Sequence, residues 1–115
     1  MKKLILVLGL FLLSANSHSM KLTDGSVIAE GAREWNKYQI GTGHNVNNAL
    51  MYSGFVIGIS NVLAISKLAC IPSKSDGNEI VATVTKYILD KPQVWSLDAV
   101  QIISNAIVTY YPCKQ

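Results

Sequence analysis

The stretch NNALMYSGFVIGISNVLAISKLAC, residues 47–70, decides the fold. It carries a single charge, Lys67, and is long enough to cross a bilayer. However, Ser53, Ser60, Asn61 and Ser66 interrupt it, and no aromatic belt flanks it. A helix that is apolar nearly all round also suits the middle of a small bundle. We therefore read it as a central helix, capped by Asn45, Asn47 or Asn48, rather than a membrane span. Gly54 and Gly58 form a GxxxG pair. In a membrane such a pair serves dimerisation. In a bundle it lets a second backbone approach closely, so both glycines are expected to be helix-packing residues.

The segments around it also read as helices. From Gly25 to Gln39, Ile28, Ala32, Trp35 and Tyr38 or Gln39 recur at helical spacing, with Glu30, Arg33, Glu34 and Lys37 facing away. Asp24 or Ser26 can cap its start. After residue 76, Ile80, Val81, Val84, Tyr87 and Ile88 share one helical face, and Pro92 stops the run. Asp76 with Glu79 resembles a capping box. The β-branched content of IVATVTKYI also fits a strand, but the spacing and the cap favour helix. The last segment starts behind Ser96 as N-cap. Ala99, Val100, Ile103, Ala106, Ile107 and Tyr110 repeat along it until Pro112. The expected fold is all-α, a small bundle of about four helices.

The N-terminus reads as an address. Lys2 and Lys3 precede an apolar run from Leu4 to Leu13, and a small polar stretch follows from Ser14 to Ser19. That is the layout of a secretory signal peptide. Residues 1–19 are assigned to it, with cleavage after Ser17 or Ser19, and 20–115 to one helical domain. Export implies an oxidising setting, where two cysteines read as one disulfide, Cys70–Cys113. Closing a loop of about 43 residues contributes roughly 4 kcal/mol in the chain-entropy model. The pairing also brings together the ends of the second and fourth helices.

Composition excludes several functions. The whole chain has a net charge of +3, but removal of Lys2 and Lys3 leaves eight basic residues against seven acidic ones. No basic stripe suggests nucleic acid, and no anionic membrane surface is implied once the signal is gone. His44 stands without a CxxC or HxxxH partner, so no metal site is expected. The cysteines are committed to each other, and no spacing pairs the carboxylates. We expect no catalytic residues, no cofactor and no enzyme. What remains is a rigid domain whose product is a surface. Two polar loops can carry it, GTGHNVN at 41–47 and PSKSDGN at 72–78, the second anchored by Cys70.

Four pieces in order resemble the Rap/Tai family of immunity proteins: YSGFVIGISNVL, CIP with its polar loop, VTKYILDKPQVW, and AVQIISNAIVTYYPC. The matching positions are Gly54, Phe55 and Gly58; Cys70 and Pro72; Lys86, Tyr87 and Pro92; and Ala99, Ala106, Pro112 and Cys113. Many relatives carry a second cysteine pair, where this chain has Ala32 and Tyr52, and an aspartate where it has Asn61. The resemblance implies a helical, periplasmic and often dimeric protein. Such a protein binds a peptidoglycan amidase effector delivered by type VI secretion and blocks its active-site cleft. On that basis the loop residues Lys74, Ser75, Asp76 and Asn78 are the expected partner-binding set. The Gly54/Gly58 face and Trp95 are candidate homodimer surfaces. The alternative is a small periplasmic stress chaperone, although such proteins are richer in charge than the 15% found here. A membrane component built on residues 49–71 is the third reading.

Overall fold

A computed structural model describes residues 24–43 and 45–114. The signal segment with its cleavage site, His18 and His44 lie outside the described residues. Four helices follow in order: α1 Gly25–Gln39, α2 Val46–Ile65, α3 Gly77–Asp90 and α4 Ala99–Tyr110. A short 3-10 turn, Pro92–Val94, links α3 to α4. The fold is all-α with one disulfide, as expected.

Polar side chains start three of the helices. The Asp24 carboxylate accepts from the Ser26 N–H at 2.9 Å and from the Ser26 hydroxyl at 2.8 Å. Asn45 accepts from the Asn48 N–H at 3.0 Å, and Asp76 from the Asn78 N–H at 3.0 Å. Each satisfies an amide that has no partner within its helix. The α3 cap therefore uses the second helical amide, not that of Glu79. Ser96 is not the cap of α4. Residues 92–97 wind into tight turns, with the Leu97 N–H on the Val94 carbonyl at 2.9 Å. The helix begins behind Asp98, whose extended backbone bridges to Asp24.

The α2 helix closes on a Schellman motif. The Lys67 N–H bonds to the Ala64 carbonyl at 3.1 Å, and the Leu68 N–H to the Leu63 carbonyl at 2.9 Å. This places Lys67 at φ 62°, the left-handed region that glycine normally fills.

All four helices contribute to the core, including Ile28, Ala32 and Trp35 of α1, Val84 and Ile88 of α3, and Ile103 of α4. α1 and α2 approach closely at Gly31. A Cβ added at Gly31 would lie 2.8 Å from the Cβ of Tyr52. Gly25 is equally constrained: its Cβ would fall 2.4 Å from the Trp95 carbonyl oxygen. Tyr52 is buried, and its hydroxyl shares a 2.8 Å hydrogen bond with that of Thr85 on α3. Burial raises the Tyr52 pKa well above the ordinary tyrosine value, against the smaller lowering effect of the Thr85 bond.

Four expectations are corrected. First, α2 is not a central helix. Ala49, Tyr52, Val56, Ser60 and Leu63 are buried, but Leu50, Met51, Val62 and Ile65 on its outer side are exposed. Second, nothing lies within 4 Å of a Cβ built at Gly54 or Gly58. The close packing in this chain is at Gly25 and Gly31 instead. Third, Glu34 does not face solvent. It is buried, paired with Lys37 at 3.3 Å, and it accepts from the Asn45 N–H at 3.4 Å. The α1 face also ends at Trp35, because Tyr38 and Gln39 are exposed.

Tyr52→Phe leaves the Thr85 hydroxyl buried without its partner and should cost about 1–2 kcal/mol in urea unfolding. Adding Thr85→Val should restore most of that loss. A raised native pKa means the unfolded chain releases the Tyr52 proton first. Stability is then full below about pH 10 and falls above it. Tyr52→Phe should flatten that alkaline decline by one proton. Lys67→Gly should stabilise the fold by about 0.5–1 kcal/mol, as relief of left-handed strain outweighs the greater backbone entropy of glycine.

Candidate functional site

The loop from Pro72 to Asp76 is fixed at both ends. At its start Cys70 is joined to Cys113 with the Cα atoms 4.8 Å apart, and the Cys70 N–H bonds to the Tyr111 carbonyl at 2.9 Å. Ile71 packs against the core. Within the loop the Ser75 N–H closes a turn on the Pro72 carbonyl at 2.9 Å. At its end Asp76 caps α3, and Gly77 sits against Ile57 of α2, its built Cβ 3.3 Å from that side chain. Lys74, Asp76 and Asn78 are exposed and Ser75 is half-buried. The structure thus brings the four expected partner-binding residues together on one tethered segment. Their roles differ, however. Asp76 is occupied as the cap, whereas Lys74 and Asn78 are exposed and Ser75 half-buried.

The loop at 41–47 is more committed to the fold. Gly41 takes φ 81° and the Thr42 N–H returns to the Lys37 carbonyl at 2.8 Å. Asn45 caps α2 and its N–H meets Glu34.

Lys86, Tyr87 and Trp95 are engaged within the chain. Lys86 pairs with Asp90 at 2.7 Å along the exposed side of α3. Tyr87 packs edge-on against Tyr110 of α4, with ring centroids 6.4 Å apart, and Lys91 lies 4.6 Å from its centroid. Trp95, a candidate dimer surface in the sequence, is occupied within the chain. Its indole N–H bonds to the Ile88 carbonyl at 2.8 Å, closing the end of α3, and Arg33 stacks on the ring at 4.7 Å.

A second feature, a groove, lies on the Gly54/Gly58 face that the sequence offered only as a candidate dimer surface. Gly54, Phe55, Gly58, Ile59, Val62 and Leu63 of α2, with Val100 and Ser104 of α4, line an open groove of about 510 Å3. Its lining is apolar apart from Ser104. The available signal was the uncharged run itself, which we read as buried on every side.

Among the described residues no three His, Cys, Asp or Glu side chains converge as a metal site would require. Glu30, Glu34 and Asp90 are each paired with a base on the same helix. This is the organisation of a binding domain, a disulfide-stapled helical scaffold that presents a polar loop and an apolar groove. The chain belongs to the Rap1a immunity protein family, whose model matches residues 28–113. The matched span covers all four helices except the first turn of α1, together with both cysteines. No curated protein and no solved structure matches the chain.

Asp76→Ala should cost about 1 kcal/mol of stability in thermal or urea unfolding through loss of the α3 cap. Lys74→Ala should leave stability within about 0.5 kcal/mol, as for exposed positions without a structural partner.

Proposed function

We propose that this protein is a periplasmic immunity protein that binds a peptidoglycan amidase effector of type VI secretion and blocks its active-site cleft. Membership of the immunity family carries the reading. The signal-like N-terminus supports export, and the Cys70–Cys113 disulfide suits an oxidising compartment. It is a stoichiometric inhibitor and has no catalytic role.

The tethered loop is the inserting element. A segment held at both ends loses less conformational entropy on binding than a free one, so more of its contact energy appears as affinity. Lys74 supplies a charged donor at its tip, and Ser75 and Asn78 supply neutral hydrogen-bonding groups. The exposed sides of α2 and α3 next to it provide the area that a stable complex needs, on the order of 800 Å2 per partner.

The test is a protection assay. A type VI amidase is directed to the periplasm and lysis is followed with and without this chain. We expect protection, and we expect it to vanish when residues 1–19 are deleted. The triple variant Lys74→Ala, Ser75→Ala, Asn78→Ala keeps the Asp76 cap and should weaken amidase binding by about 100-fold, the scale of a central hot spot. Unchanged affinity in that variant would place the contact elsewhere. Failure to protect against a panel of such amidases, with the chain exported and folded, would exclude this target class.

A further inference from the structure

The C-terminal end of α2 combines features that the bundle does not use. Val62, Ile65 and Leu68 are 65, 82 and 62% exposed, so three branched apolar side chains stand in solvent within one short stretch. Lys67, between the last two, is exposed and holds φ 62°. Glycine would occupy that position without strain, so a lysine is kept there at a cost to the fold. The disulfide gathers more positive charge beside it. The Cys113 Sγ lies 3.6 Å from the Lys67 carbonyl, with Lys114 next in the chain, and Lys74 follows on the loop that Cys70 anchors. All three lysines are exposed, and among the described residues none is ion-paired. No Asp or Glu occurs from residue 35 to 75 or after Asp98, and Asp76 is turned to the α3 cap. We propose that this tip docks on an anionic phospholipid surface, with Val62, Ile65 and Leu68 in the interfacial layer and the lysines on lipid phosphates.

An interfacial contact needs apolar side chains flanked by lysine, whose stem lies along the acyl boundary while its ammonium meets the headgroups. Both parts are present here. Charge also separates this occupant from a second copy. Two copies joined through the tip would bring lysines against lysines, with no carboxylate on the tip to relieve the repulsion, whereas an anionic lipid surface supplies the missing counter-charge. A spanning arrangement is closed as well. α2 is long and apolar enough to cross a membrane, yet Tyr52, Val56 and Ser60 are buried against the bundle, so only its end can enter the lipid. Composition gives no sign of this surface, because charge nearly cancels once Lys2 and Lys3 are removed. The fold collects Lys67, Lys74 and Lys114 from separate parts of the chain. The contact rests on export alone and does not depend on which effector is bound.

Flotation of the exported, oxidised chain with vesicles tests the proposal. Vesicles of equal parts phosphatidylglycerol and phosphatidylcholine should carry the protein, and phosphatidylcholine alone should carry far less. Three lysines near an anionic surface account for about a hundredfold difference in affinity. About 0.5 M salt should remove most of it. Lys67→Gly should weaken binding about fivefold, the share of one lysine, while its relaxed backbone keeps the fold. Ile65→Ser should weaken binding about tenfold, as for an apolar side chain that leaves water only in the lipid. Helical circular dichroism should be unchanged, since Ile65 is exposed in the single chain. Neither residue belongs to the Lys74–Asn78 loop, so failure here and failure of the effector reading are separate results. No flotation at about 1 mM anionic lipid, roughly tenfold above the half-point for one myristoyl chain, overturns the proposal. So does equal flotation with neutral and anionic vesicles, or binding that neither substitution weakens. A dimer that forms without vesicles and that Ile65→Ser dissociates would assign the tip to a second copy and equally overturn it.

Discussion

Tyr52 is the point from which the bundle is organised. Its side chain fills the place that the missing Cβ of Gly31 leaves open, so α1 and α2 meet at close range. Its hydroxyl reaches Thr85 and draws in α3. One buried side chain thus sets the spacing of three helices by two different forces, dispersion at the ring and a hydrogen bond at the tip. A hydroxyl pair sealed in an apolar core is costly if either member loses its partner. The geometry is therefore specified more narrowly than hydrophobic contact alone would require.

Much of this was legible in the chain. The helical period of Ile80, Val84 and Ile88 prevailed over the β-branched composition of the same segment, because packing against α4 and the core rewards the helical face. The cysteine pairing followed from two cysteines and a signal-like N-terminus. What escaped depended on contacts distant in sequence. Glu34 was read as exposed because its second partner, the Asn45 amide, lies eleven residues away. Gly54 and Gly58 were assigned to packing because the motif is familiar, whereas Gly25 and Gly31 carry it. An apolar run of twenty residues also says nothing about how much of it three short neighbours can cover. Four helices of 12 to 20 residues leave one side of the longest bare.

For the candidate site, the sequence located the loop but not the division of labour within it. Lys74, Ser75, Asp76 and Asn78 are adjacent in the chain and adjacent in space, so any linear reading finds them together. Asp76 was read from the sequence both as a helix cap and as a partner residue, and its bond to the Asn78 amide shows the first role. Tyr87, one of the positions that carry the resemblance, packs against Tyr110 and holds α3 to α4.

The position of Cys113 also has a consequence for the order of assembly. It follows α4, and its partner Cys70 follows α2, so every helix precedes the second half of the bond in the chain. A polypeptide that emerges N-terminus first has already delivered α1, α2 and α3 when Cys70 is still alone. The helices can thus collect around Tyr52 before any cross-link is available to guide them. Oxidation then acts as a latch on a bundle already formed. Its main effect falls on the return path, keeping the polar loop and the end of α4 in place once the protein has reached its working compartment.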